Sequence, residues 1–108
     1  MTLKLAVQGL HTWSTLQGYE VLARKVEPEG EISVPHQFVL PERGLSWSEL
    51  DRLVLGLANT SNFLKNTSVP IFINLSAATL RNEILLEREI NQLRVLREWV
   101  SNDVVLEV

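Results

Sequence analysis

The sequence predicts one α/β domain in which parallel strands are joined by crossover helices after an initial hairpin. Its 108 residues are enough for one domain and hardly for two. The elements read from the sequence follow in the order strand, strand, loop, helix, strand, helix, strand. Strands joined through helices of this length pair in parallel with right-handed crossovers. Hydrophobic residues make up 45% of the chain and charged residues 21%, which is typical of a folded globular protein.

The composition excludes several classes of function. The chain has no cysteine, and its two histidines, His11 and His36, lie too far apart in sequence to form a metal motif. A net charge of −3 gives no electrostatic basis for non-specific nucleic-acid binding. Residues 1–10 lack the features of a signal peptide, and no apolar run is long enough to span a bilayer. We therefore expect a cytoplasmic protein that binds neither membrane nor nucleic acid.

The first two strands are predicted to pair as a hairpin. Residues 3–10 alternate in part between apolar and polar side chains, and residues 19–26 are rich in strand-forming residues. Residues 11–17 are predicted to connect the strands, with Trp13 packed against the domain. Gly18 is expected to supply an unusual backbone angle before the second strand.

A turn, a loop and a helix are predicted next. Residues 27–30 have the composition of a turn, and residues 32–43 form a loop with a helical turn over 36–40. Ser46 begins the helix, because Ser46 and Glu49 have the spacing of a capping box. The helix has an apolar stripe of Leu50, Leu53, Val54, Leu57 and Leu64, frays over 62–66, and carries Asp51, Arg52 and Asn59 off that stripe.

Two further strands flank a second helix. Residues 69–75 are predicted to form a strand buried on both faces, and residues 104–108 another strand of the buried type. The helix runs from Thr79 or Arg81 to Val100, with Trp99 expected in the core. Its predicted buried stripe is Ile84, Leu85, Ile90, Leu93, Leu96 and Val100, and its predicted solvated face is Glu83, Glu87, Arg88, Glu89, Arg94, Arg97 and Glu98.

Polar residues interrupt three of the predicted strands. Asn74 and Glu107 lie at or near the carboxyl ends of their strands, where parallel α/β folds carry their chemistry, and Glu20 interrupts another strand. Carboxylate and amide oxygens are ligands that suit Mg²⁺ or Mn²⁺. Glu20 and Arg24 are four residues apart, so a regular strand places them on one face, either as an ion pair or as two parts of a polar site.

These residues resemble motifs of the EAL-domain family, the bacterial phosphodiesterases that hydrolyse cyclic di-GMP. Residues 18–24 (GYEVLAR) are similar to the signature GYEALLR, with Val21 in place of its alanine. Residues 72–76 (FINLS) are similar to the family's apolar-N-L-S strand end, and residues 106–108 (LEV) to the opening of its E-L-T-E segment. The similarity extends over essentially all 108 residues, with the motifs in the family's order.

Two weaker motifs depart from the family pattern. Gln8 lies where the family has Gln-Pro-Ile, but Gly9 replaces the proline. Residues 38–45 are similar to the F-I-P-x-A-E-x-x-G-L loop, with residues missing.

The resemblance implies a partial (β/α) barrel of the EAL type and a set of site residues. Glu20 would be the catalytic residue and, with Asn74 and Glu107, would hold Mg²⁺ or Mn²⁺. Gln8 and Arg24 would bind cyclic di-GMP, with the arginine on a phosphate. A metal-bound water would then attack the phosphodiester.

The chain is short for that family. A (β/α)₈ barrel needs about 250 residues, so residues 1–108 are predicted to be a truncated EAL-like domain, the N-terminal half of the barrel. The later acidic and lysine residues of the family have no counterpart, so we expect no hydrolysis by this chain alone. The strand at 104–108 would form an open edge, which predicts a homodimer or a protein partner.

Four alternatives stay open at this stage. The domain could be an interaction module that has lost its ligand site, or a receptor that binds cyclic di-GMP through Arg24 and Gln8 without hydrolysing it. The chain could also be a fragment of a longer protein. It could finally be a small α/β domain in which Glu20 and Arg24 form only a salt bridge.

Overall fold

The computed structural model describes residues 2–40 and 44–108, so Pro41, Glu42 and Arg43 of the predicted loop lie outside the described residues. The strands are β1 (Thr2–Thr12), β2 (Thr15–Val26), β3 (Ile32–Ser33), β4 (Ile71–Asn74) and β5 (Val104–Glu107). The helices are α1 (Pro35–Phe38), α2 (Trp47–Ala58), α3 (Asn62–Lys65), α4 (Ala77–Leu80) and α5 (Glu83–Trp99).

The strands form one sheet in the order β1-β2-β4-β5, with the short β3 beside β2. β1 and β2 pair antiparallel as a hairpin, whereas β2 pairs parallel with β4, and β4 pairs parallel with β5. This pairing confirms the predicted α/β fold with parallel strands after an initial hairpin. That the sheet is part of a barrel stays a prediction.

The core lies on one face of the sheet. Along each strand, side chains point alternately to the two faces. The buried hydrophobic side chains of the sheet and of the residue that follows β4 all point to one of these faces: Val21, Ala23, Ile71, Ile73 and Leu75. They pack with Leu55, Leu64 and Leu96 of the helices, which are fully buried. The prediction that β4 is buried on both faces was wrong, because Phe72 is only half-buried and Asn74 is exposed.

The hairpin is longer than predicted. β1 and β2 extend to Thr12 and Thr15, so most of the predicted connector belongs to the strands. Trp13 lies in the two-residue turn with a φ of 58° and is 98% exposed, so the prediction that it packs against the domain was wrong. Such a short connection holds the two strands in a fixed register.

The turn and the helical turn that follow the hairpin lie close to where the sequence analysis predicts them. Gly30 has a φ of 94° and donates its amide to the Glu27 carbonyl, which confirms the turn. The predicted helical turn is α1, shifted to Pro35–Phe38.

The first long helix, α2, begins where the sequence predicts, but the Glu49 side chain does not take part in its cap. The Ser46 hydroxyl accepts a hydrogen bond from the Glu49 amide at 3.2 Å and caps α2. The Glu49 carboxylate pairs with Arg52 instead of reaching back to the cap, so the full capping box does not form. Leu64 belongs to the separate helix α3.

The second long helix is interrupted near its start. Asn82 separates α4 from α5, and its side chain accepts hydrogen bonds from the Ile84 and Leu85 amides at 3.0 and 3.1 Å. Ile84 lies in the first turn of α5, beside this cap, and is 80% exposed. The prediction that Ile84 belongs to the buried stripe was therefore wrong. Glu89, expected on the solvated face, is fully buried beside Arg88.

The prediction for Trp99 is confirmed, whereas the prediction that β5 is buried was wrong. Trp99 packs against the core and donates its ring N–H to the Ser61 carbonyl at 3.0 Å, which confirms its expected place. β5 is not buried, because Leu106 is 44% exposed at the edge of the sheet.

In the described ranges, no helix is long and apolar enough to cross a membrane. The cytoplasmic location expected from the sequence stays a prediction.

Candidate functional site

The sheet face opposite the core carries the predicted polar residues; we call it the polar face. Gln8 pairs with Glu20 across β1 and β2, and Asn74 pairs with Glu107 across β4 and β5. Glu20 also pairs with Phe72, two residues before Asn74 on the same strand. Residues paired across strands, and residues two apart along a strand, share a face. The register therefore places Gln8, Glu20, Arg24, Asn74 and Glu107 together on this face.

Glu20 and Glu107 form the centre of the polar face. The two residues lie on strands separated by β4, whose backbones are about 10 Å apart at the usual strand spacing. A hydrogen bond with Glu20 raises the pKa of Glu107 above its ordinary value, and burial adds to this shift. The register places the two carboxyl groups on either side of β4 on one face, and this contact favours the protonated form of Glu107.

The Oε1 oxygen of Glu107 is the second feature of this pair. Glu107 Oε1 is buried and has no hydrogen-bond partner among the described residues. A buried polar oxygen without a partner is costly. The Glu20–Glu107 pair therefore has acceptor capacity that a proton or a cation could satisfy.

Asn74 occupies the carboxyl end of β4, beside Glu107 in the register. The Leu75 amide continues the ladder by donating to the Glu107 carbonyl at 3.1 Å. Ser76, one residue further, donates its amide and its hydroxyl to Asp51 Oδ2 on α2, at 2.9 and 2.7 Å. The backbone around Asn74 is thus held by the neighbouring strand and by a helix, while its side chain is exposed.

Arg24 does not pair with Glu20. Its guanidinium donates to the Ala23 carbonyl at 2.7 Å, and the ion pairs found among the described residues are Lys25–Glu27, Glu49–Arg52 and Arg88–Glu89. The alternative of a structural Glu20–Arg24 salt bridge is therefore not supported. Among the described residues, Arg24 makes this one side-chain hydrogen bond, and its other N–H groups could bind an anion.

A pocket of about 280 Å³ opens at the carboxyl ends of β2 and β4. Arg24 and Asn74 line it from the sheet, and Asp51 and Ser76 line it beside them. The aromatic rings of His36 and Trp47 close another side, edge to face with their centroids 5.7 Å apart. The rest of the lining is largely apolar and includes Val21, Leu50 and Val54. The pocket thus combines apolar and aromatic surface with one guanidinium and a few polar groups, as ligand pockets commonly do.

The oxygen ligands fit a divalent cation only in part. Within residues 2–40 and 44–108, no group of three or more His, Cys, Asp or Glu side chains could hold a metal ion. The predicted ligands are two carboxylates and the Asn74 amide, and Mg²⁺ is commonly held by one or two carboxylates while it keeps several waters. The unpartnered Glu107 Oε1 is consistent with such an ion. The assignments of Glu20, Asn74 and Glu107 as ligands, and of Gln8 and Arg24 as ligand-binding residues, stay predictions.

Asp51 is the functional candidate that the sequence analysis missed. The sequence analysis placed it off the apolar stripe of α2, but it is 7% exposed. The sequence does contain a signal for its burial, because Asp51, Val54, Leu55 and Ala58 have the spacing of one helix face. Its partners could not be read from this spacing, since they lie 25 and 28 residues away.

Comparison with known proteins supports the fold. No protein-family model matches the chain, and no curated protein matches it. Among solved structures, the chain is similar to the crystal structure of the FimX EAL domain from Pseudomonas aeruginosa bound to c-di-GMP, with 28% sequence identity and a TM-score of 0.64. The match covers 96% of this chain and 43% of that chain, so this chain spans less than half the length of that domain. The likeness indicates an EAL-like fold for the part that is covered.

Proposed function

We propose that this chain is an EAL-type module of cyclic di-GMP signalling, which binds the dinucleotide together with Mg²⁺ or Mn²⁺ on its polar face. The observation that carries the proposal is the strand register, which brings Glu20, Asn74 and Glu107 onto the sheet face that also bears Arg24. The similarity to a domain that binds c-di-GMP supports the choice of ligand.

Each residue of the polar face has a role that its chemistry suits. Glu20, Asn74 and Glu107 would hold the cation, which would supply positive charge to a phosphate and lower the pKa of a bound water. Arg24 would bind a phosphate oxygen with the donors that Ala23 does not occupy. Gln8, paired with Glu20 at the rim of the sheet, would add an amide contact to the ligand. Glu107, whose pKa is raised, would bind the cation in its deprotonated form.

We expect binding without turnover. Glu20 is the predicted catalytic residue, but among the described residues the register places two carboxylates on the polar face, Glu20 and Glu107. Removing members of a catalytic unit lowers rates by several orders of magnitude. Incubation of the purified chain with cyclic di-GMP and Mn²⁺ is expected to yield no linear product, and release of linear product would show that the chain is a phosphodiesterase.

Calorimetry tests the binding proposal. The chain is titrated with cyclic di-GMP in the presence of Ca²⁺, and the titration is repeated on Arg24→Ala and on Arg97→Ala. Arg97 is an exposed arginine of α5, away from the polar face, and is the matched control. We expect saturable binding that Arg24→Ala abolishes and Arg97→Ala preserves. Equal effects of the two substitutions would mean that the ligand recognises charge and not this site.

A protein-interaction role is the second candidate, favoured by the edge of the sheet. Among the described strands, β5 has one unpaired edge. Val104 and Leu106 form a groove with α5 that Ile90, Leu93, Arg94 and Arg97 also line. An apolar edge strand of this kind is a site for pairing with another strand. We propose a homodimer formed through this edge, which Leu106→Lys is expected to dissociate in sedimentation analysis. A wild-type chain that is monomeric at every concentration would contradict the homodimer.

A further inference from the structure

We propose that Asp51 is a positioning residue for Asn74: it fixes the path of the chain where it leaves β4, and so holds the Asn74 amide in the cation site. The inference rests on the proposed function, because it assigns Asp51 a role in the site that Asn74 would help to form. Asp51 itself is not proposed to touch the cation or the ligand.

The hydrogen bonds of Asp51 converge on a single oxygen. Oδ2 accepts from the Ser76 amide at 2.9 Å, from the Ser76 hydroxyl at 2.7 Å and from the Thr79 hydroxyl at 2.6 Å. Thr79 is fully buried, and Asp51 is nearly so. Hydrogen bonds to a carboxylate are short and strong, and they are stronger where water is excluded. Three such bonds to one oxygen make this the firmest polar tie between α2 and the segment after β4.

This tie acts on Asn74 through two peptide bonds. Ser76, which provides two of the three donors, follows Asn74 by two residues. On the other side, the Leu75 amide bonds the Glu107 carbonyl at 3.1 Å, and the buried Leu75 side chain packs in the core. The Asn74 side chain makes no hydrogen bond in the described part of the chain and is exposed. Its position therefore depends on how the backbone around it is held.

A local helix cap does not explain the arrangement. Ser76 caps the four-residue α4, but its bond from the Thr79 amide is long, at 3.4 Å. The strong bonds of Ser76 run instead to a carboxylate 25 residues earlier, on another helix. The clamp is thus tertiary, and it joins the helix layer to the strand end that carries Asn74.

The test separates positioning from general stability. Mn²⁺ affinity of the full chain is measured calorimetrically for the wild type, Asp51→Asn, Asn74→Ala and the double variant. If Asp51 acts through Asn74, each single substitution lowers Mn²⁺ affinity by at least about tenfold, and the double variant binds no more weakly than Asn74→Ala. Losses that multiply in the double variant would overturn the inference. Glu49→Gln, which alters an exposed ion pair on the same helix, is the control and is expected to leave affinity unchanged.

Amide hydrogen exchange gives a second readout that needs no metal. We expect the Ser76 and Leu75 amides to exchange at least about tenfold faster in Asp51→Asn, while the Val21 amide of the central strand keeps its protection. Unchanged exchange at Ser76 would overturn the inference even if Mn²⁺ binds. A wild type that does not bind Mn²⁺ would contradict the proposed function, and exchange would still decide whether Asp51 holds this segment.

A milder variant guards against loss of the fold. Thr79→Val removes one of the three donors and keeps the side-chain shape in a buried position. We expect it to give a smaller loss of Mn²⁺ affinity than Asp51→Asn, in the same direction. If Asp51→Asn unfolds, an unchanged affinity in Thr79→Val would count against the inference.

Discussion

Replacing Gly18 by alanine tests the packing of the polar face. Gly18 lies two residues before Glu20 on β2, so it shares the face of the carboxyl pair. A Cβ atom there would lie 2.6 Å from Cε1 of the Phe72 ring and 2.9 Å from the Pro70 carbonyl oxygen. Both distances are below normal contact, and the Pro70 oxygen is fixed because it accepts from the Tyr19 amide at 3.0 Å. The sequence analysis expected an unusual backbone angle here, but the positive φ values among glycines are those of Gly30 and Gly44.

The expected cost follows from these distances. Because the backbone oxygen cannot move freely, the ring and the strand must shift, and overpacking of this kind costs about 1–3 kcal/mol. Phe72 pairs with Glu20 in the register, so its displacement is also expected to weaken cation binding. The free energy of unfolding is measured by urea denaturation of Gly18→Ala and of the wild type.

Gly56→Ala is the matched control for this substitution. Gly56 lies in α2, and a Cβ there meets no atom within 4 Å. The same chemical change is therefore expected to stabilise the chain by about 0.5–1 kcal/mol, through the better helix propensity of alanine. A Gly18→Ala variant as stable as the wild type would refute the close packing of Phe72 over Gly18.

Three further predictions address the carboxyl pair, a helix cap and the hairpin turn. Because the folded chain raises the pKa of Glu107, it binds more protons than the unfolded chain between the ordinary and the raised pKa. The contribution of Glu107 to the free energy of unfolding is full below its ordinary pKa and is lost as pH rises through the raised pKa. With EDTA present, Glu107→Gln should therefore make the free energy of unfolding depend less on pH in this range. An unchanged pH dependence would contradict the raised pKa of Glu107. Asn82→Ala removes the acceptor for two amides of α5 and should lower the free energy of unfolding by about 1 kcal/mol in urea. Trp13→Ser should leave stability within about 0.5 kcal/mol, since the ring is exposed, and a larger loss would mean that Trp13 is covered.

The sequence was sufficient to predict the order of elements, the hairpin and the parallel pairing. These follow from local patterns: strand-forming runs, caps and the length of the connecting helices. The alternation of side chains along β2 also predicted that Glu20 and Arg24 share a face, and the continuous pairing of β2 with β1 over these residues confirms it.

What the sequence did not predict depends on contacts between distant segments. Glu89 was expected on a solvated face and Asp51 off the apolar stripe of α2, because a charged residue on a helix is usually solvated. Asp51 is buried because Ser76 and Thr79 supply its donors from another part of the chain. Likewise, no local pattern shows that Glu20 and Glu107, which are separated by a strand, converge into a pair. Such pairing follows only when the strand order is known.

The most direct test of a cyclic di-GMP site on the polar face is to map the site by chemical shifts. Backbone amide shifts of the full chain are followed while cyclic di-GMP is added in the presence of Mg²⁺. We predict that saturable shift changes occur at the amides of Gln8, Glu20, Arg24, Asn74 and Glu107. Amides on the outer side of α5 are expected to be unaffected. Absence of any change, or changes confined to α5 and the free edge of β5, would contradict a ligand site on the polar face.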